Sequence, residues 1–267
     1  MQRIDSLDDP RVAAYRNLRD RTLRGESAFV AEGKLLVERL IASPIEAESV
    51  FVAEEFVDVF APLIPPDVPM FVAPERLLLD IVGFNFHRGI LAVGRRPRIH
   101  SLDEVLPPLA PEAALGLAIC PEITKPENMG LIFRSAAAFG LDGILLGQRC
   151  CDPFSRRALR LSMGAVFRVP FRKSDDLLGD LRTLKESQGL KLVATVLDPA
   201  AEKLGSYTWP RRAGVLFGNE FEGLRDGWLD LCDARVTIPM QPGVDSLNLG
   251  VAAGVFLYDL NRGQSLS

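Results

Sequence analysis

Three short segments of this 267-residue chain place glycine, amide, hydroxyl and charged residues where apolar runs end. The first is EITKPENMGLIFRSAAAFG (122–140), in which Asn128 and Arg134 stand six residues apart. A helix starting near Met129 would put Arg134 about one turn inside, able to point back toward the preceding strand end. The second, LFGNEFEGL (216–224), runs an apolar stretch into a tight turn with Gly218, Gly223 and two carboxylates, Glu220 and Glu222. The third, IPMQPGVDSLNLG (238–250), ends a strand at Ile238 and passes through a Pro/Gly loop to Ser246, Leu247 and Asn248. Taken singly, the glycines are explained as turn residues, Asn248 as a cap and Arg134 as an exposed helix residue. Taken together they put a guanidinium, carboxylates, amides and a hydroxyl at strand ends, where open α/β sheets bind ligands.

Other chemistries lack their residues. There is no GxGxxG after a strand and no GxxxxGK[ST], which removes the dinucleotide-binding and P-loop signatures. Two histidines, His87 and His100, are too few and too scattered for a histidine triad or a metal cluster. Cys120, Cys150, Cys151 and Cys232 form no CxxC pair and are expected to be reduced structural thiols, so no metal is expected.

The elements that must position these segments are legible as alternating patterns. Apolar runs of strand length fall at 115–119, 143–146, 192–197, 215–217 and 236–238, with helical stretches between most of them. That alternation predicts a mainly parallel sheet covered by helices, with strands buried on both faces. The stretch 247–260 is apolar on most sides and follows Ser246, a good N-cap residue, which predicts a buried final helix. Ahead of this half, residues from Phe29 to about Arg98 read as a smaller α/β unit: a helix bearing Leu35, Leu36, Leu40 and Ile41, then strands at 49–52, 70–72 and 90–93. The proline-containing stretch between them predicts a division into domain 1–98, linker 99–112 and domain 113–267.

A formal net charge of -4 argues against a protein that coats nucleic acid by charge alone, so local patches must carry any affinity for RNA. Two are visible: Arg11, Arg16, Arg19, Arg21 and Arg24, and Arg88, Arg95, Arg96 and Arg98. The plain reading of both is a solvated face. With no apolar run near the roughly 18 residues of a membrane span, a cytoplasmic location and no membrane partner are expected.

The segments NMGLIFRSAAAFG, LFGNEFEGL and IPMQPGVDSLNLGVAAGVFLYDL resemble, in order and spacing, the three motifs of the SpoU (TrmH-like) RNA 2'-O-ribose methyltransferases of the SPOUT superfamily. The resemblance covers about 150 residues from Leu115 onward, and RRALRLSMGAVFRVP (156–170) is similar to the family's stretch between the first two motifs. FVAEGKLLVERL and FHRGILAV resemble an L30e-like substrate-binding domain. The resemblance implies an α/β fold with a trefoil-knotted, mainly parallel sheet at the C-terminal end. It implies S-adenosylmethionine as cofactor, held by Gly218, Ile238 and Leu247, and a ribosomal or transfer RNA as substrate; Leu197, at the end of a preceding strand, is placed to line the same pocket. It also implies a homodimer. Arg134, Asn128, Glu220, Ser246 and Asn248 would be the catalytic set. Arg134 is either a base or a bidentate phosphate grip; a permanently protonated guanidinium favours the grip. Ser246 and Asn248 either hydrogen-bond near the reacting groups or stabilise the knot. Phe221 departs from the family's usual glycine, and Arg88 from a frequent glutamine. An idle RNA-binding protein that keeps this fold is the alternative, and the intact polar residues speak against it.

Overall fold

The structure is a computed structural model that describes residues 1–18, 27–83, 89–98, 101–106, 109–110 and 112–265. Arg19, Arg21, Arg24, Arg88, His87 and His100 lie outside the described residues, as does part of the expected linker. The first half runs β1 (Gln2–Arg3), β2 (Ala28–Glu32), α1 (Lys34–Ile41), β3 (Ala47–Ala53), α2 (Val57–Phe60), β4 (Met70–Ala73), α3 (Glu75–Val82) and β5 (Ile90–Arg95). Then follow β6 (Leu115–Cys120), α4 (Pro126–Ala138), β7 (Gly143–Leu146), α5 (Arg156–Ser162), β8 (Phe171–Lys173), α6 (Leu177–Gln188) and β9 (Lys191–Thr195). The chain finishes with β10 (Glu202–Lys203), β11 (Arg212–Leu216), α7 (Asp226–Leu229), β12 (Ala234–Thr237) and α8 (Leu249–Ser265).

Two compact units result: Met1–Arg98 with Phe154–Phe167, and Ile99–Pro153 with Arg168–Ser267. The first holds a five-stranded mixed sheet in the order β1-β4-β3-β5-β2. Its core gathers Tyr15, Phe51, Leu91 and Val93, and Tyr15 satisfies its buried hydroxyl on Ser49 Oγ at 2.9 Å. Strand β2 falls where the sequence suggests only a helix. Its Phe29, Val30 and Ala31 form an apolar run too short for periodicity to tell strand from helix. Segment 154–167, which the sequence groups with the later half, packs in this first unit. Phe154 stacks on Phe29 with centroids 4.5 Å apart, and Arg156 Nη2 donates to the buried Glu32 carboxylate at 2.8 Å.

Several arginines of the two basic patches are engaged by neighbours in this unit. Arg11 pairs with Asp9, and Arg95 with Glu46 and Glu48. Arg16 donates to the Asp9 carbonyl at 2.7 Å, and Arg96 to the Ala28 carbonyl at 3.1 Å.

The second unit is built on a seven-stranded sheet, β10-β12-β9-β11-β6-β7-β8, in which every pairing is parallel. Central strands β6, β11 and β7 are buried along almost their whole length, as a sheet covered on both faces requires. Leu117, Ile119, Leu192 and Leu216 anchor one core cluster against Leu181 and Leu184 of α6. Helix α8 packs on α4, where Gly250 is essential to the approach: a Cβ there would stand 2.7 Å from Leu131 Cβ. Farther along, α8 is pinned by Trp209, whose indole N–H donates to Asp259 at 3.0 Å. The cysteines are free, and Cys150 is buried with its thiol pushed up to about 11 by burial. Among the described residues no helix is long and apolar enough to cross a membrane, and none form a metal-holding cluster.

Candidate active site

Parallel strands all end on one edge of their sheet, so the chain segments that leave β9, β11 and β12 emerge side by side. With the start of α8 they enclose a cavity of about 320 Å³. Eight of the nine residues singled out by sequence line it: Asn128, Leu197, Gly218, Glu220, Ile238, Ser246, Leu247 and Asn248. Its walls are apolar where Leu197 (63% exposed), Leu247 (37% exposed) and Ile238 stand, and polar at Lys125, Asn128, Glu220, Ser246 and Asn248. That combination suits a flat heteroaromatic ligand carrying a polar tail.

One hydrogen-bonded chain ties the three sequence segments together. The Glu220 carboxylate accepts from Thr124 N at 3.2 Å, Thr124 Oγ1 at 3.1 Å, Lys125 N at 3.0 Å and Asn128 Nδ2 at 3.0 Å. It thus caps the entry to α4, where negative charge also meets the positive end of the helix dipole. Partial burial works against its ionised form, but the donation from Asn128 and the Lys125 and Thr124 amides outweighs burial and holds the carboxyl below its ordinary range. Asn128, only 2% exposed, turns its Oδ1 to Asn248 Nδ2 at 3.0 Å. Asn248 Oδ1 in turn accepts from Gly250 N at 3.0 Å and Val251 N at 3.3 Å. The expected N-cap of the last helix is therefore displaced: Asn248, not Ser246, takes the orphan amides, because the helix starts two residues later than its apolar pattern suggests.

Gly218 owes its identity to close packing. A Cβ there would lie 2.3 Å from Gly223 C and 2.5 Å from Leu224 N, both backbone atoms that cannot swing away. The turn it closes is bridged by Asn219 N to Gly223 O at 2.9 Å and Gly223 N to Asn219 O at 3.0 Å, with Gly223 at φ +68°.

Arg134 is the residue not brought to the cavity. Helix α4 begins at Pro126, three residues before the expected start, because proline fits the first helical position. Arg134 therefore sits about two turns in, roughly 12 Å along the axis. It is exposed and has no ion pair among the described residues. Sequence reasoning missed Lys125, which lines the cavity, and Thr124, which donates to Glu220. Their only signal was adjacency to the Pro126 helix start.

A sequence model of the SpoU rRNA Methylase family matches residues 117–258. An uncharacterized tRNA/rRNA methyltransferase of Mycobacterium bovis is 33% identical over 98% of this chain and 92% of its own length. The 23S rRNA (guanosine-2'-O-)-methyltransferase RlmB of Acinetobacter baylyi is 31% identical over 71% of this chain and 77% of its own. Among solved structures, the AdoMet-bound rRNA methyltransferase of Sinorhizobium meliloti has a TM-score of 0.81 at 25% identity, covering 98% of this chain and 97% of its own.

Proposed function

The chain belongs to the SpoU rRNA methylase family, and on that footing we propose that it methylates a ribose 2'-oxygen of ribosomal or transfer RNA with S-adenosylmethionine. The observation that carries this reading is the meeting of Asn128, Glu220 and Asn248, one from each motif, beside Gly218, Ile238 and Leu247 around one cavity. The names carried by RlmB and by the AdoMet-bound relative support the acceptor and the cofactor.

When bound, S-adenosylmethionine supplies an electrophilic methyl group on a sulfonium. Leu197, Ile238 and Leu247 would hold its adenine by apolar contact, and Gly218 keeps the turn behind it closed. Glu220, with four donors on its two oxygens, is an anchor rather than a proton acceptor. It fixes Asn128, and through it Asn248, at the polar edge. Ser246 lines the same edge and is exposed, so its hydroxyl is available to the incoming ribose. Arg134 grips a phosphate of the RNA strand bidentately, which aligns the hydroxyl for in-line attack.

The proposal extends to the trefoil knot, which would bring together the three loops that line the cavity. It also makes residues 1–98 an RNA-reading unit. A homodimer is included because Val251, Val255 and Tyr258 leave one stripe of α8 exposed at 51%, 39% and 55%.

Methyl-labelled S-adenosylmethionine and total RNA, followed by digestion to nucleosides and mass spectrometry, test the reading. A 2'-O-methylnucleoside is expected, with no transfer to an RNA carrying a 2'-deoxy target. Label on a base would overturn the ribose assignment, and the RNA species that gains label identifies the substrate.

A further inference from the structure

Phe221 stands in the turn that closes the cavity, lines its mouth and is 78% exposed. Leaving a phenyl ring in water forgoes the burial that normally recruits one. The turn does not need the ring. Phe221 supports it through its backbone N–H, which donates to Asn219 Oδ1 at 2.9 Å, a bond almost any residue could supply. Asn219 Oδ1 and the Gly223 bridge hold the position still, so the ring is presented from a fixed backbone.

Lys125 Nζ lies 4.7 Å from the ring centroid, and the Lys125 backbone is itself fixed by its bond to Glu220. One face of the ring thus carries a cation. With 78% of the residue still exposed, the other face is open. Leu197 and Leu247, the other exposed apolar groups of the cavity, offer no π surface. An open aromatic face with an ammonium beside it is the chemistry that receives an unstacked nucleobase and the phosphate attached to it.

We infer that Phe221 is a stacking platform for a nucleobase of the substrate RNA at or next to the methylated nucleotide, with Lys125 as its phosphate partner. The inference rests on the RNA methyltransferase reading and adds to it a specificity-determining pair.

The test measures RNA binding directly, and RNA KM, kcat and S-adenosylmethionine affinity alongside, in the full-length protein and its Phe221→Ala, Phe221→Leu and Phe221→Tyr variants. Phe221→Ala is expected to weaken RNA binding and raise RNA KM by roughly 5- to 150-fold, the range of one lost base stack. Cofactor affinity should be unchanged. Phe221→Tyr should restore RNA binding and Phe221→Leu should not. In Phe221→Trp, the emission added by the new indole should be quenched when a single-stranded RNA oligonucleotide is titrated in. Unchanged RNA binding in Phe221→Ala overturns the platform. So does leucine rescuing as well as tyrosine, or a loss confined to S-adenosylmethionine affinity, which would make the ring a cover for the cofactor. If the wild-type protein methylates no RNA, the functional reading fails; an active wild type with an indifferent alanine variant overturns the platform alone.

Discussion

Asn248 Nδ2 donates to Asn128 Oδ1 at 3.0 Å, joining two side chains 120 residues apart in the chain. Because the Asn128 amide nitrogen is already committed to Glu220, neither amide can rotate by a half-turn without facing like groups together. Asn128→Ala is therefore expected to cost about 1–3 kcal/mol, the price of stranding partners of a buried group. Asn128→Asp should cost more at neutral pH, since it sets a second carboxylate against Glu220. Urea unfolding checks both, and a silent Asn128→Ala would mean the chain of bonds contributes nothing.

Glu220 gives that network a pH signature. Its carboxyl is held below the ordinary range in the folded state, so its contribution is fully present above the unfolded carboxyl pKa of about 4.3 and is lost as pH falls through the lower folded value. The stability difference between wild type and Glu220→Gln should be constant from pH 6 to 8 and shrink on acidification below about pH 4. A difference that grows in acid would reverse the sign and point to a protonated Glu220.

Gly218→Ala should displace the 218–224 turn, because the added methyl meets only backbone. Calorimetry should show S-adenosylmethionine affinity reduced by at least about tenfold, a loss of roughly 1.4 kcal/mol. Gly227→Ala, where a Cβ meets nothing within 4 Å, is the matched control and should bind normally.

Arg134→Ala should leave stability within about 0.5 kcal/mol, as expected for an exposed residue with no ion pair among the described residues. Methyl transfer should nevertheless fall by a large factor with cofactor affinity intact. Arg134→Lys divides the two roles: weak rescue supports a planar phosphate grip, whereas rescue that grows with pH supports a base.

Light scattering is expected to give about twice the 29.3 kDa chain mass. Val255→Glu, in the middle of the exposed stripe of α8, should shift the protein to one chain mass. A fully active monomer would remove the homodimer.

The parallel sheet was legible because its strands are apolar on both faces: 143–146 is the same span in sequence and structure, and 115–119 gains only Cys120. Seven of the eight cavity residues were legible through motif resemblance and Leu197 through its place at a strand end, since residues as distant as Asn128 and Asn248 carry no local mark of their bond. Strand β8, with the sequence FRK, is half-buried at best and has no apolar run to reveal it. The shift of the α8 cap from Ser246 to Asn248 escaped because both residue types cap well and only the backbone path decides between them. Thr124 acts through its backbone amide as much as its hydroxyl, and amides leave no trace in a residue pattern.

The first unit also has a schedule. Phe29 lies against both Phe154 and Phe167, and the Glu32 carboxylate has its guanidinium partner in Arg156. A ribosome that has released only the first hundred residues has therefore released a sheet whose Phe29 face is uncovered and whose Glu32 charge lacks its counterion. Completion must wait until Phe167 has left the exit tunnel, by which time β6, α4 and β7 of the second unit are already outside. Packing of the first unit is thus finished only after part of the second has been made, and a nascent polypeptide stalled between 100 and 150 should remain protease-sensitive around β2 even where the core of Tyr15, Phe51 and Leu91 has formed.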